Sequence, residues 1–263
     1  MLTRVRALFR LIKVALRATR KPNGDQTMKK ISLLVTNNGN TKIRKSAEGT
    51  EYKIASLSLS PDDIICANRK RAECAVDCLF KAGRGVMSNV ERSRRGKTKL
   101  WHTNREQFLD ILYTEIKAHI RSSKRAGKIA AIRLNTISDI SWEEHDIFQQ
   151  FPELIGYDYT KRPERIGKTP ENYRLMFSYS GAPLYQPMVE DALKTDVPIS
   201  VVFRGGFPKE FLGREVVNGD KSDLYNLEAS GKVIGLKLKG GKQIQLSKSP
   251  FIVNNPEPLQ VAA

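Results

Sequence analysis

Short apolar runs recur along this chain at intervals too long for a hairpin loop and long enough for a helix. That spacing constrains the fold more than any other feature. Residues 31–35, 52–59, 128–135, 153–159, 173–179, 198–203, 215–217 and 232–238 read as strands. Between them, residues 103–124 form a long helical stretch in which Phe108, Ile111, Leu112, Ile116 and Ile120 fall near helical spacing. Residues 142–149 and 184–193 read as shorter helices, and Pro61 after a Ser60 cap marks a further helix start. Residues 83–97 read as a basic, glycine-containing loop. Short buried strands separated by helices predict a mostly parallel sheet with helices packed outside. About seven such units suit an α/β fold in the form of a full or partial (β/α) barrel.

The chain has 263 residues, enough to bury a full core without disulfides. Residues 28–263 read as a single barrel-like domain, and residues 1–27 as a separate basic extension. In that extension Val5, Leu8, Leu11 and Ile12 share one helical face among seven basic residues, until Pro22 and Gly24 break the pattern. It reads either as an arm for a membrane surface or nucleic acid, or as a translated upstream region, Met28 being an alternative initiator. The net charge is +17, and +11 without this extension, which holds seven basic residues and one acidic. Such a charge admits an anionic partner, nucleic acid included. No run approaches 18 consecutive apolar residues, so no segment is expected to span a membrane.

All three cysteines, Cys66, Cys74 and Cys78, fall in one 13-residue window, spaced C-x7-C-x3-C. The odd count and the clustering argue against a disulfide scaffold and predict a reducing cytoplasm. Buried structural cysteines are the plain alternative, but Arg69, Lys70, Arg71, Glu73 and Asp77 make this segment polar. Three thiolates can hold a [4Fe–4S] cluster with one iron open to a cofactor such as S-adenosylmethionine. Zinc is the alternative and needs a fourth ligand, for which His102 is the nearest histidine in sequence. His119 and His145 read as surface or helix-face residues.

In a barrel, chemistry gathers at the carboxyl ends of the strands. The strand carrying Arg133 runs into Asn135, Ser138 and Asp139; the next ends in Tyr159 and Lys161; another runs into Ser178 and Ser180; and a fourth runs into Gly205 and Gly206. Asp139 and Lys161 are the candidate catalytic residues. They are expected in one pocket facing the loop of Cys74 and Cys78, where opposite charges would grip a zwitterionic ligand. Arg133, Asn135, Ser138, Tyr159, Ser178, Ser180, Gly205 and Gly206 are candidate cofactor-binding residues, and Cys66, Cys74 and Cys78 candidate metal ligands. The basic run Arg92, Arg94, Arg95, Lys97 and Lys99 supports a rival reading, a zinc-stabilised nucleic-acid-binding protein without catalysis.

Four blocks taken together resemble the bacteriophage gene-88 protein family. They are the cysteine loop closing in Cys78-Leu79, the Arg133 to Ser138-Asp139 stretch, Tyr157-Asp158-Tyr159-Thr160-Lys161, and Phe177-Ser178-Tyr179-Ser180-Gly181. The resemblance implies a phage-encoded cytoplasmic protein, a distant relative of radical S-adenosylmethionine barrels.

Overall fold

The computed structural model describes residues 31–36, 46–75, 77–78, 86–222, 224, 227 and 229–254. The fold belongs to one compact unit that starts at Ser32. The basic extension over residues 1–27 lies outside the described residues.

Ten strands form a mixed, mostly parallel sheet. β1 (Leu34–Thr36) is an antiparallel edge on β2 (Tyr52–Leu57). From β2 the order follows the chain through β3 (Ile129–Arg133), β4 (Ile155–Thr160), β5 (Tyr173–Ser178) and β6 (Ile199–Arg204), each parallel to the last. Beyond β6 come β9 (Val233–Lys237), β8 (Arg214–Asn218) and the two-residue β7 (Glu210–Phe211), with β7 antiparallel to β8. The sheet is open, with β1 at one edge and β7 at the other, so the full barrel expected from the unit count is not formed. β10 (Ile252–Asn254) pairs with β6 at 202–204, while β5 pairs with β6 only at 199–200. β9 occupies the other flank of β6, so β10 takes over where β5 ends.

Five helices lie among the described residues: α1 (Ser88–Thr103), α2 (Arg105–Arg125), α3 (Ile147–Gln150), α4 (Gln186–Leu193) and α5 (Lys242–Gln245). α2 is the helix expected from periodicity. Asn104 caps it by accepting a 3.0 Å bond from the Gln107 N–H, and Phe108, Leu112 and Ile116 are its buried apolar positions. Strand register places Ala55, Ile132, Tyr173 and Leu175 on the side of α1, α2 and α3, in one core with Trp101, Phe108 and Phe148. Phe177, Ile199, Val201 and Phe203 meet Val189 and Ala192 of α4 on the same side. Ile54, Ala131, Tyr157, Met176 and Ile234 face the other way and are covered by Ala47, Leu224, Leu227 and Ala229.

Three local expectations change. Residues 88–103 are helix, taking in most of the 83–97 run read as a basic loop, because Lys97, Thr98 and Trp101 give it a buried face. Lys97 donates a 2.7 Å bond to the Leu33 carbonyl, while the Glu115 carboxylate accepts from the Leu33 and Leu34 N–H groups, so two charged hooks hold the entry to β1. Burial brings the Lys97 ammonium down to about 8, against the pull of Glu115. The segment after Pro61 is a succession of turns rather than a helix, and its cap is Asp62, whose Oδ1 accepts from Ile64 and Ile65. His119, read above as a surface or helix-face residue, is buried, with Nε2 3.1 Å from the Lys53 carbonyl and 3.0 Å from that of Ala131.

Gly156 fixes how close α3 comes to the sheet. A Cβ there would sit 2.2 Å from the Phe148 ring and 2.7 Å from Tyr173, two rings stacked with centroids 4.2 Å apart. Gly156→Ala is therefore expected to lower stability by about 2–3 kcal/mol, read by urea unfolding; an unchanged midpoint would show that the stack yields freely.

Candidate functional site

The cysteine segment crosses the carboxyl edge of the sheet, tied down strand by strand. After β3, the Asp139 N–H donates to the Ile65 carbonyl at 2.6 Å and the Cys66 thiol lies 3.5 Å from the Ile137 carbonyl. After β4, the Asn68 side chain donates to the Lys161 carbonyl at 2.8 Å. After β5, Ser180 is fully buried and its hydroxyl donates to the Ala72 carbonyl at 2.7 Å. Before β10, Ser249 donates to the Glu73 carbonyl and Ser247 to the Asp77 carboxylate, both at 2.8 Å.

The thiols of Cys66, Cys74 and Cys78 are half-buried and free of disulfides. Burial pushes the Cys66 thiol well above its ordinary range, and Asp139, Cys78 and Cys74 push it further, while Arg69 opposes them. Cys66 is thus within electrostatic reach of each of the other two sulfurs. Arg94 of α1 stands near Cys78, whose charge would favour the guanidinium. Among the described residues no group of three or more His, Cys, Asp or Glu side chains is arranged to hold a metal ion. The His102 ring, the candidate fourth zinc ligand, is engaged by Asp62 Oδ2 at 2.7 Å.

Asp139 and Lys161 meet, but not as an ion pair. The Asp139 carboxylate accepts from the Thr160 hydroxyl and the Lys161 backbone N–H, both at 2.8 Å, and takes the Arg165 guanidinium at 2.6 Å as its ionic partner. Arg165 also grips Glu143 through two 2.8 Å bonds and donates to the Tyr173 hydroxyl at 3.2 Å. Burial works against the Arg165 charge, yet the bonds to Glu143 and the charges around it hold its pKa above the ordinary value. The Lys161 ammonium turns the other way, donating to the Ser178 hydroxyl at 2.6 Å and lying 4.5 Å from the Phe251 ring centre.

The other candidates divide between these two surroundings. Asn135 accepts at Oδ1 from Ser138, the Ile140 N–H and the Trp142 indole, so it and Ser138 shape the turn after β3. Arg133 stacks 4.4 Å over the Tyr159 ring, on the sheet face opposite the helices. Gly205 and Gly206 form the turn leaving β6, with Gly205 at φ 93°. The sequence reading passed over Arg165, Glu143, Tyr173, Tyr185 and Phe251. Tyr185 donates to the carbonyls of Lys161 and Ser178, both at 3.1 Å, fixing the two strand exits together.

Asp158, wholly buried, is the centre of the same network, accepting from the Asn135 N–H at 2.7 Å and the Tyr173 hydroxyl at 2.9 Å. Burial pushes its carboxyl up to about 7, against Arg133, Asn135, Tyr173 and Arg165. The folded chain thus binds this proton more tightly than the unfolded one, so stability falls as pH rises from about 4 to about 7, by up to about 4 kcal/mol. Asp158→Asn removes that slope. Between pH 5 and pH 8 the wild type should lose stability relative to the variant in urea unfolding, and parallel behaviour would count against a neutral Asp158.

The family model for Gene product 88 matches residues 32–254. The chain belongs to the Gene product 88 family. This is the gene-88 family that the four sequence blocks resemble, and the match extends beyond them on both sides, from the entry to β1 to the end of β10. No curated relative and no solved structure matches the chain. No helix among the described residues is long and apolar enough to cross a membrane.

Proposed function

We propose that this Gene product 88 protein is a cytoplasmic iron–sulfur protein, with Cys66, Cys74 and Cys78 holding a [4Fe–4S] cluster at the carboxyl edge of a partial barrel. The observation that carries the reading is the electrostatic coupling of Cys66 to both other thiols on a segment tied across three strand exits. Three sulfur donors suit a cluster by type, leaving one iron open, although the side chains are not drawn together as a metal-holding group among the described residues; zinc would need a fourth ligand, and His102 is engaged by Asp62. The unbroken parallel order from β2 to β6, with α2, α3 and α4 packed on one face, supports barrel-like winding. A bound cluster would supply electron transfer and an open coordination position, the chemistry of a radical S-adenosylmethionine-like enzyme. Around it Lys161 and Ser178 present donors to an anionic group, and Arg69 and Arg94 offset thiolate charge near Cys66 and Cys78.

Nucleic-acid binding draws less support. In the basic run, Lys97 is bonded to the Leu33 carbonyl, Arg95 pairs with Glu91 at 2.5 Å and Arg94 lies within electrostatic reach of Cys78. The test is purification without oxygen, then iron, sulfide and visible absorbance. Iron and sulfide in equal amounts with a brown colour are expected. A colourless protein after reconstitution overturns the proposal, and copurified zinc with salt-sensitive DNA or RNA binding would favour the rival.

A further inference from the structure

Two opposite charges meet at Ser247, and neither has an ionic partner among the described residues. Asp77 is 6 % exposed; its Oδ2 accepts from the Ser247 hydroxyl at 2.8 Å, and its Oδ1 is buried without a hydrogen-bond partner. Arg204, at the end of β6, donates through one terminal nitrogen to the Ser247 carbonyl and through the other to the Asn254 side chain at 2.7 Å. Its Nε–H is also buried and unpartnered. A buried carboxylate oxygen and a buried guanidinium N–H left unmatched are costly, and both charges lean on the same residue. At the β6 exit Arg204 is half-buried and Gly205 exposed.

We infer that Asp77, Ser247 and Arg204 form a binding subsite for the α-amino-acid end of a ligand. The ligand's ammonium donates to Asp77 Oδ1, and its carboxylate accepts from Arg204 Nε–H. A zwitterion satisfies both orphan atoms at once, whereas a simple anion or cation leaves one of them unmatched. The site adjoins Cys78 in sequence but does not depend on a cluster.

The test therefore uses the iron-free full chain. Calorimetry with each of the twenty common amino acids and with S-adenosylmethionine is expected to find at least one that binds. The N-acetyl and carboxamide derivatives of that compound, tested on the wild type, should each bind about tenfold or more weakly, since each removes one charge-assisted bond. Asp77→Asn and Arg204→Gln should reproduce the same two losses. Failure of the whole panel to bind, or a binder indifferent to blocking of its amine and carboxylate, overturns the inference. The wild-type comparison holds even if a variant does not fold.

Discussion

Arg165→Met is expected to lower stability by about 3–5 kcal/mol, the cost of breaking a buried ion network from its centre. Arg165 is 2 % exposed and serves both Asp139 and Glu143, which are themselves 8 % and 11 % exposed. Methionine fills a similar volume but leaves two carboxylates buried without a cation. Replacing those carboxylates as well, with Asp139→Asn and Glu143→Gln, should restore part of the loss, because the stranded charge and not the missing contacts dominates. Urea unfolding of the single and triple variants checks this. A single variant within about 1 kcal/mol of wild type would mean that water or another cation reaches the carboxylates.

Each of Cys66→Ala, Cys74→Ala and Cys78→Ala is expected to remove the iron, sulfide and visible absorbance together, because a cluster missing one of three protein ligands is not retained. The apo forms should remain folded. The Cys66 sulfur contacts a carbonyl at 3.5 Å and the Cys74 sulfur one at 3.8 Å, contacts whose loss costs about 1 kcal/mol. Loaded wild type should melt above its apo form, since a ligand bound only by the folded state adds stability, and this gap should close in all three variants. Iron retained by any one variant would remove that cysteine from the ligand set.

What the sequence made legible follows from how local each signal is. α2 was readable because Phe108, Leu112 and Ile116 repeat at helical spacing within one segment. α1 was not, because apolar Trp101 appears only at the end of its buried face and Lys97 stands where an apolar residue would be expected. Closure of the sheet depends on whether its edge strands meet, and no local pattern encodes that. The strand exits are local signals, polar residues that follow apolar runs. The roles within them were less accessible, since the partner that decides how Asp139 is used, Arg165, lies 26 residues further on. Asp158 lies in the 157–161 stretch that carries the family resemblance, but its burial follows from strand pairing rather than composition.

The way β10 continues past the end of β5 also bears on the order of events as the protein is made. Ser247, Phe251 and Asn254 complete the surroundings of Asp77, Lys161 and Arg204. Ser247 follows Asp77 by 170 residues. On the ribosome, the cysteine segment therefore emerges long before the residues that close the edge around it. Until residues 247–254 have emerged, that edge lacks the contacts that Ser247, Phe251 and Asn254 make with Asp77, Lys161 and Arg204.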